Sequence, residues 1–114
     1  MEPLYDSLGQ ARYFLADNGR IISANGQSAA WIDKRGNVYD YVGNHLGRFE
    51  DGHIRGNDGG VMLWQKSAKN LGVVAPVPLV PPVPPVPSVE PVRPVSLVPP
   101  VPAARSLSWS RITF

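Results

Sequence analysis

The sequence predicts an all-β fold, with four hairpin repeats followed by an extended, proline-rich tail. A unit of about 16 residues recurs four times between residues 4 and 68, and each copy carries glycine-bearing turns. All 11 glycines lie in residues 9–72, whereas 12 of the 13 prolines lie in residues 76–102. This change in composition predicts a boundary near residues 71–75. We therefore predict three parts: a β-repeat domain over 1–72, a polyproline II stalk over 73–104 and a C-terminal aromatic tip over 105–114.

Each repeat contains two short strands and two tight turns. The four copies occupy residues 4–19, 21–36, 38–52 and 54–68. Dipeptides such as Asn25-Gly26 and Asp58-Gly59 tolerate the positive φ angles that tight hairpin turns need. The recurring turns predict a meander of eight short strands. No single copy is long enough to bury a core, so the four copies must pack together. They form either a compact barrel or sandwich, or a rosette of four hairpins.

The second strand of the repeats carries large apolar groups on both of its faces. Leu15, Ile32 and Phe49 share one register, which we assign to the inner face because strand side chains alternate. The preceding positions point to the opposite face, and their large apolar members are Phe14, Trp31 and Trp64. A second apolar face predicts an interface, or an aromatic platform for a sugar or peptide ligand. The alternative is that a small barrel buries both faces.

The tail repeats with a period of three. Polyproline II has three residues per turn, so a valine at every third position forms one apolar stripe along an extended rod. The ten valines of the stripe are Val74, Val77, Val80, Val83, Val86, Val89, Val92, Val95, Val98 and Val101. At about 3.1 Å per residue, residues 74–104 would make a straight rod of roughly 95 Å. We predict that the stripe mediates self-association, as a parallel bundle of three or four rods (a homotrimer or homotetramer) or as a fibre.

The same tail has two other interpretations. Proline-rich tracts are often disordered linkers, and the PxxP spacings of Pro78–Pro81 and Pro84–Pro87 are typical of ligands for aromatic-lined grooves. The tip alternates apolar and polar residues, and we predict either a docking element or a frayed terminus there. Its docking residues would be Leu107, Trp109 and Phe114.

The residue chemistry favours a non-enzymatic protein. The chain has no cysteine, which excludes disulfides, thiolate metal sites and a cysteine nucleophile. Its two histidines, His45 and His53, lack the convergent ligands of a metal site, and His53 follows a turn glycine at a position that we expect to be exposed. Asp6 and Asp40 recur at turn entries, where bonding to the turn backbone explains them better than catalysis does. We predict no catalytic, cofactor or metal site.

The charge and hydropathy patterns favour neither a nucleic-acid partner nor a membrane. Residues 1–72 hold eight Lys/Arg and eight Asp/Glu without a basic stripe, so nucleic acid is not expected. No run of 18 apolar residues occurs, so no membrane span is expected. The N-terminus lacks the apolar region of a signal peptide, which favours a cytoplasmic location.

Several short motifs resemble those of one bacterial family. The opening MEPLYD, the repeated β units with glycine turns, the tail with an apolar residue at every third place and the closing RSLSWS are similar to the bacterial four-fold β-flower domain proteins. The resemblance covers most of the chain. It implies a small β domain with a fourfold arrangement of hairpins, and it implies no activity and no functional residue.

Overall fold

The computed structural model describes residues 1–95, 99–112 and 114, and it confirms the all-β prediction. The eight strands are β1 Glu2–Tyr5, β2 Ala11–Leu15, β3 Arg20–Ser23, β4 Ser28–Ile32, β5 Asn37–Tyr39, β6 His45–Glu50, β7 His53–Gly56 and β8 Val61–Trp64. Among these described residues, no helix is long and apolar enough to cross a bilayer.

The strands form one closed antiparallel barrel. Each strand pairs with the next along the chain, and β8 pairs with β1 through Trp64 and Tyr5. The predicted meander of eight strands is confirmed, and each repeat contributes one hairpin to the wall. Closure leaves the barrel without an unpaired edge strand.

The four hairpins share the same irregularity, which shows that the repeats are structurally equivalent. In each hairpin the register shifts by one residue near the end of the first strand, so one residue of the second strand has no direct partner. The unpaired residues are Arg12, Ala29, Leu46 and Met62. A β-bulge bends and twists a strand locally, which helps strands of three to six residues close into a barrel.

The core is built from equivalent positions of the four repeats. The first strand of each hairpin contributes one apolar residue to the core cluster, and these are the fully buried Leu4, Ile21, Val38 and Ile54. Leu15, Ile32 and Phe49 are partly buried and pack against the same core cluster, as the predicted inner face requires. The alternation of side chains along each strand therefore predicted correctly which residues face the inside of the barrel.

Hydrogen bonds also link each repeat to the next. The carbonyl oxygen of the closing glycine in one repeat accepts an N–H at the end of the next second strand, at 2.7–2.9 Å. The donor and acceptor pairs are Ile32 with Gly19, Phe49 with Gly36, and Gln65 with Gly52. These bonds hold neighbouring repeats together around the barrel.

The tail lies against the barrel and follows its turns. In chain order, Leu79 meets Gly9, Ser88 meets Gly26, Pro94 meets Gly43, and Ser106 meets Gly59. The prediction of a straight rod of roughly 95 Å is wrong for the described residues, because the molecule measures 36 × 36 × 21 Å along its principal axes. A contour of roughly 95 Å would close a circle about 30 Å across, which is enough for about one lap of the barrel. We call residues 73–106 the belt and residues 107–114 the C-terminal segment.

Candidate assembly surface on the C-terminal belt

Backbone hydrogen bonds hold the belt in register with the repeats. The N–H groups of Leu79 and Ser88 donate to the carbonyl oxygens of Gly9 and Gly26, at 2.9 and 2.8 Å. Ser106 donates in the same way to Gly59 at 3.0 Å. The donors lie nine and then eighteen residues apart, so nine belt residues match one repeat of the barrel. Since proline has no N–H, each of these positions must be occupied by another residue.

The turn glycines let the belt approach the barrel closely. Gly9 and Gly26 have φ angles of +79° and +89°, in the left-handed region that favours glycine. A Cβ atom on either would lie 2.5 Å from a belt carbonyl oxygen, that of Val77 or Val86. The Gly-bearing turns recognised in the sequence therefore also form the contact surface for the belt.

Barrel side chains add polar contacts to the belt. The Arg48 guanidinium donates from Nη2 to the carbonyl oxygen of Pro100 at 2.8 Å, and Arg20 donates to the carbonyl oxygen of Ser88. The Tyr41 hydroxyl donates to Glu90 Oε2 at 2.6 Å. Burial, together with this bond to Glu90, raises the pKa of Tyr41 to about 12. Charged and polar groups on the wall thus fix the belt at several points.

Arg55 joins the end of the belt to the segment that leads into it. Its Nη1 donates to the Ser106 carbonyl oxygen at 2.8 Å, and its Nη2 donates to the Leu71 carbonyl oxygen at 2.6 Å. The side chain is only 5 % exposed, and burial lowers the pKa of the guanidinium. Equivalent positions in the other repeats hold Tyr5, Ile22 and Tyr39. Arg55 was not predicted as a functional residue, although a charged residue in an otherwise apolar repeat position was the available signal.

The predicted aromatic platform is not open to a ligand. The exposed fractions of Phe14, Trp31 and Trp64 are 0, 7 and 4 %, so the expectation of an accessible aromatic face is wrong. Each side chain pairs across a junction between repeats, as Trp31 does with Tyr39 at a ring-centroid distance of 5.2 Å. Arg93 of the belt lies over the Trp31 ring at 5.2 Å. The alternative that both strand faces are buried is therefore correct.

The valine stripe faces away from the barrel. The nine valines of the stripe that the structure describes are 83–94 % exposed. Val98 lies outside the described residues. Because the belt contacts the barrel through its backbone and its polar side chains, the valines contribute little to the fold. Exposed apolar residues in this number are typical of an interaction site.

Two of the three predicted docking residues at the C-terminus contact the barrel. Trp109 forms a parallel bridge with Val61, and the neighbouring backbone bonds to Val61 are 2.8 and 3.1 Å long. Phe114 packs edge-on against Tyr13 at a ring-centroid distance of 5.2 Å. Leu107 remains 81 % exposed.

The polar candidates from the sequence serve the fold. Asp6 and Asp40 each accept two backbone N–H groups of the following turn, at 2.9–3.0 Å, which confirms their predicted role. Burial by itself would raise the pKa of Asp40. Hydrogen bonds from Asn44 and the turn backbone lower the pKa by more than burial raises it, so the net shift is downward.

His53 has no exposed surface, which corrects the expectation that it is exposed. Among the described residues, no group of three or more His, Asp or Glu side chains could hold a metal ion.

The architecture defines a β-barrel of four equivalent hairpins encircled by its own C-terminal belt. A family model described as "4-fold beta flower protein" matches residues 2–114. The chain therefore belongs to the 4-fold beta flower family, and the match includes the belt as well as the barrel. No curated protein and no solved structure gives a significant match to the chain.

Proposed function

We propose that this chain is a non-enzymatic structural protein that self-associates through the valine stripe of its belt. The observation that carries the proposal is the outward orientation of the nine described valines, each at least 83 % exposed. Valine recurs at every third position, mostly with prolines between, so that the belt backbone faces the barrel and the valine side chains face solvent. A fold that needed no partner would gain nothing from this pattern.

The free energy available from burial of the whole stripe is of the same order as the cost of association. Full burial of one valine contributes about 1.5 kcal/mol, so nine contribute on the order of 13 kcal/mol. Association itself costs roughly 4–15 kcal/mol in lost freedom of motion. Most of the stripe must therefore be covered for a stable complex to form.

The path of the belt favours an open assembly. The belt passes turns of all four repeats, so valines face outward on more than one side of the molecule. One molecule can then contact several neighbours, and contacts that do not close into a ring extend into a fibre. This arrangement replaces the predicted bundle of straight rods, because the belt is held against the barrel.

Solution mass tests the proposal. We expect the full chain to exceed its monomer mass of 12.4 kDa in light scattering after gel filtration. Substituting Val80, Val83 and Val89 together with serine is expected to return the chain to a monomer without changing its stability to urea. Val42→Ser is the matched control, since Val42 is 85 % exposed but lies outside the belt. A monomeric wild type, or an unchanged mass for the triple variant, would contradict the proposal.

A further inference from the structure

A cavity of about 330 Å³ lies beneath the C-terminal segment, between the first and fourth repeats. It is lined by residues of the first turn, β2 and β8, including Met62. Trp109 and Phe114 of the C-terminal segment also line it. The cavity sits beside the junction of β1 and β8, where the register contains a single residue pair. Ligand cavities in proteins typically have volumes of about 300–1,000 Å³ and mostly apolar linings with a few polar groups.

The apolar part of the lining suits a ring-sized group. Tyr13 and Phe114 meet edge to face, and Trp109 contributes a third aromatic side chain. Aromatic rings pack well against other rings in tilted or offset arrangements. Since one water occupies about 30 Å³ of liquid, the cavity has room for a molecule of about eleven non-hydrogen atoms.

The polar part of the lining includes one exposed cation, Arg12, in a long ion pair with Asp6. Asp6 Oδ1 is occupied by the N–H groups of Leu8 and Gln10, and the Asp6 side chain is 18 % exposed. Arg12 lies 3.6 Å from Asp6 Oδ2 and is 60 % exposed. That distance exceeds the 2.7–2.9 Å typical of a charge-assisted hydrogen bond. The Arg12 guanidinium can therefore turn to a carboxylate at the mouth of the cavity.

We propose that this cavity binds a small aromatic carboxylate, with the ring among Tyr13, Trp109 and Phe114 and the carboxylate on Arg12. This site is separate from the valine stripe and does not depend on self-association.

Calorimetry with the full chain and three probes tests the site. 3-Phenylpropionate is expected to bind with one site per chain, its uncharged amide at least tenfold more weakly, and propionate without measurable heat. Arg12→Gln should lower the affinity for the acid at least tenfold and leave that for the amide unchanged. Arg35→Gln is the matched control, because Arg35 is an exposed cation outside the cavity.

The outcomes separate the proposal from its alternatives. Absence of binding by 3-phenylpropionate at millimolar concentration would overturn the site. Equal affinities for the acid and the amide, or for wild type and Arg12→Gln, would overturn the assignment of a carboxylate ligand. A urea unfolding curve of Arg12→Gln that matches wild type shows that a loss of binding does not come from a loss of fold.

Discussion

Arg55 occupies the position at which the fourfold pattern of the barrel is interrupted. Its guanidinium reaches the carbonyl oxygens of Ser106 at the end of the belt, of Asn70 and Leu71 just before its start, and of Gly59 in the turn of the fourth hairpin. Hydrogen bonds from a charged donor are stronger than those between neutral groups. One side chain thus joins the end of the belt, and the segment that leads into it, to the wall.

Replacing Arg55 with methionine is expected to destabilise the chain by about 2–4 kcal/mol, because carbonyl groups in a buried site lose their donor. Urea unfolding followed by tryptophan fluorescence measures the change. Arg12→Met is the control, since Arg12 is 60 % exposed and makes only a long ion pair. It should change the stability by less than about 0.5 kcal/mol. Equal effects of the two substitutions would show that Arg55 does not hold the belt.

His53 gives the fold a pH dependence below neutrality. Burial lowers the pKa of His53 below its ordinary value of 6.5, and its Nε2 has no hydrogen-bond partner among the described residues. As the pH falls below 6.5, the unfolded chain takes up the proton before the folded chain does, so stability decreases. Well above pH 6.5 the imidazole is neutral in both states, and the full stability is present.

We therefore expect the urea midpoint to decrease between pH 6.5 and 5, and His53→Gln to decrease less over the same range. His45→Gln serves as a comparison. Burial also lowers the pKa of His45, but both ring nitrogens of His45 have hydrogen-bond partners, Asn57 and Asn37. A midpoint that stays constant or rises as the solution is acidified would contradict the inferred burial of His53.

At the scale of elements, the register between belt and barrel is the feature that orders the tail. A leucine stands at position 79 within a run rich in proline, and its N–H donates to Gly9. Leu79→Pro removes this donor and is expected to destabilise the chain by about 1–2 kcal/mol. Limited proteolysis should also cut the belt of this variant sooner than that of the wild type.

Val80→Pro provides the matched control for Leu79→Pro. Val80 is the next residue, is 94 % exposed, and has no backbone hydrogen bond within the described part of the chain. Its substitution should leave the unfolding midpoint close to that of wild type. Similar losses at positions 79 and 80 would mean that chain stiffness, and not the bond to Gly9, determines the effect.

The strands and turns were predictable from local sequence, but the course of the tail was not. Hairpin signals such as Asn25-Gly26 act over a few residues, so they locate the turns without knowledge of distant contacts. The bond between Leu79 and Gly9 joins residues 70 positions apart, and no local pattern reveals it. The valine spacing of three residues was visible in the sequence. The spacing of nine residues between belt N–H donors has a meaning only once the belt is aligned with the repeats of the barrel.

The candidate assembly surface was also predictable only in part, because local patterns reveal its residues but not its orientation. The valine stripe could be identified from the sequence, because its period matches that of an extended proline-rich chain. Its outward orientation could not, because it depends on which face of the belt meets the barrel. Phe14, Trp31 and Trp64 were assigned to the correct strand face, but only the folded chain shows that this face is covered.

At the scale of the whole molecule, the belt accounts for the size and shape of the chain. The Cα radius of gyration is 13.3 Å, close to the value expected for a compact domain of this length. A barrel of fewer than 75 residues has a small core, so the polar contacts of the belt supplement limited apolar burial. The same arrangement leaves the valines free to meet other molecules.

Small-angle X-ray scattering tests the central claim, namely that the tail encircles the barrel and presents its valines outward. The measurement uses the full chain carrying serine at positions 80, 83 and 89, so that association does not enlarge the particle. We predict a compact particle with a radius of gyration near the 13.3 Å of the Cα atoms, plus a small hydration contribution. A largest dimension of roughly 95 Å or more would show a projecting rod or a free linker, and would contradict the belt.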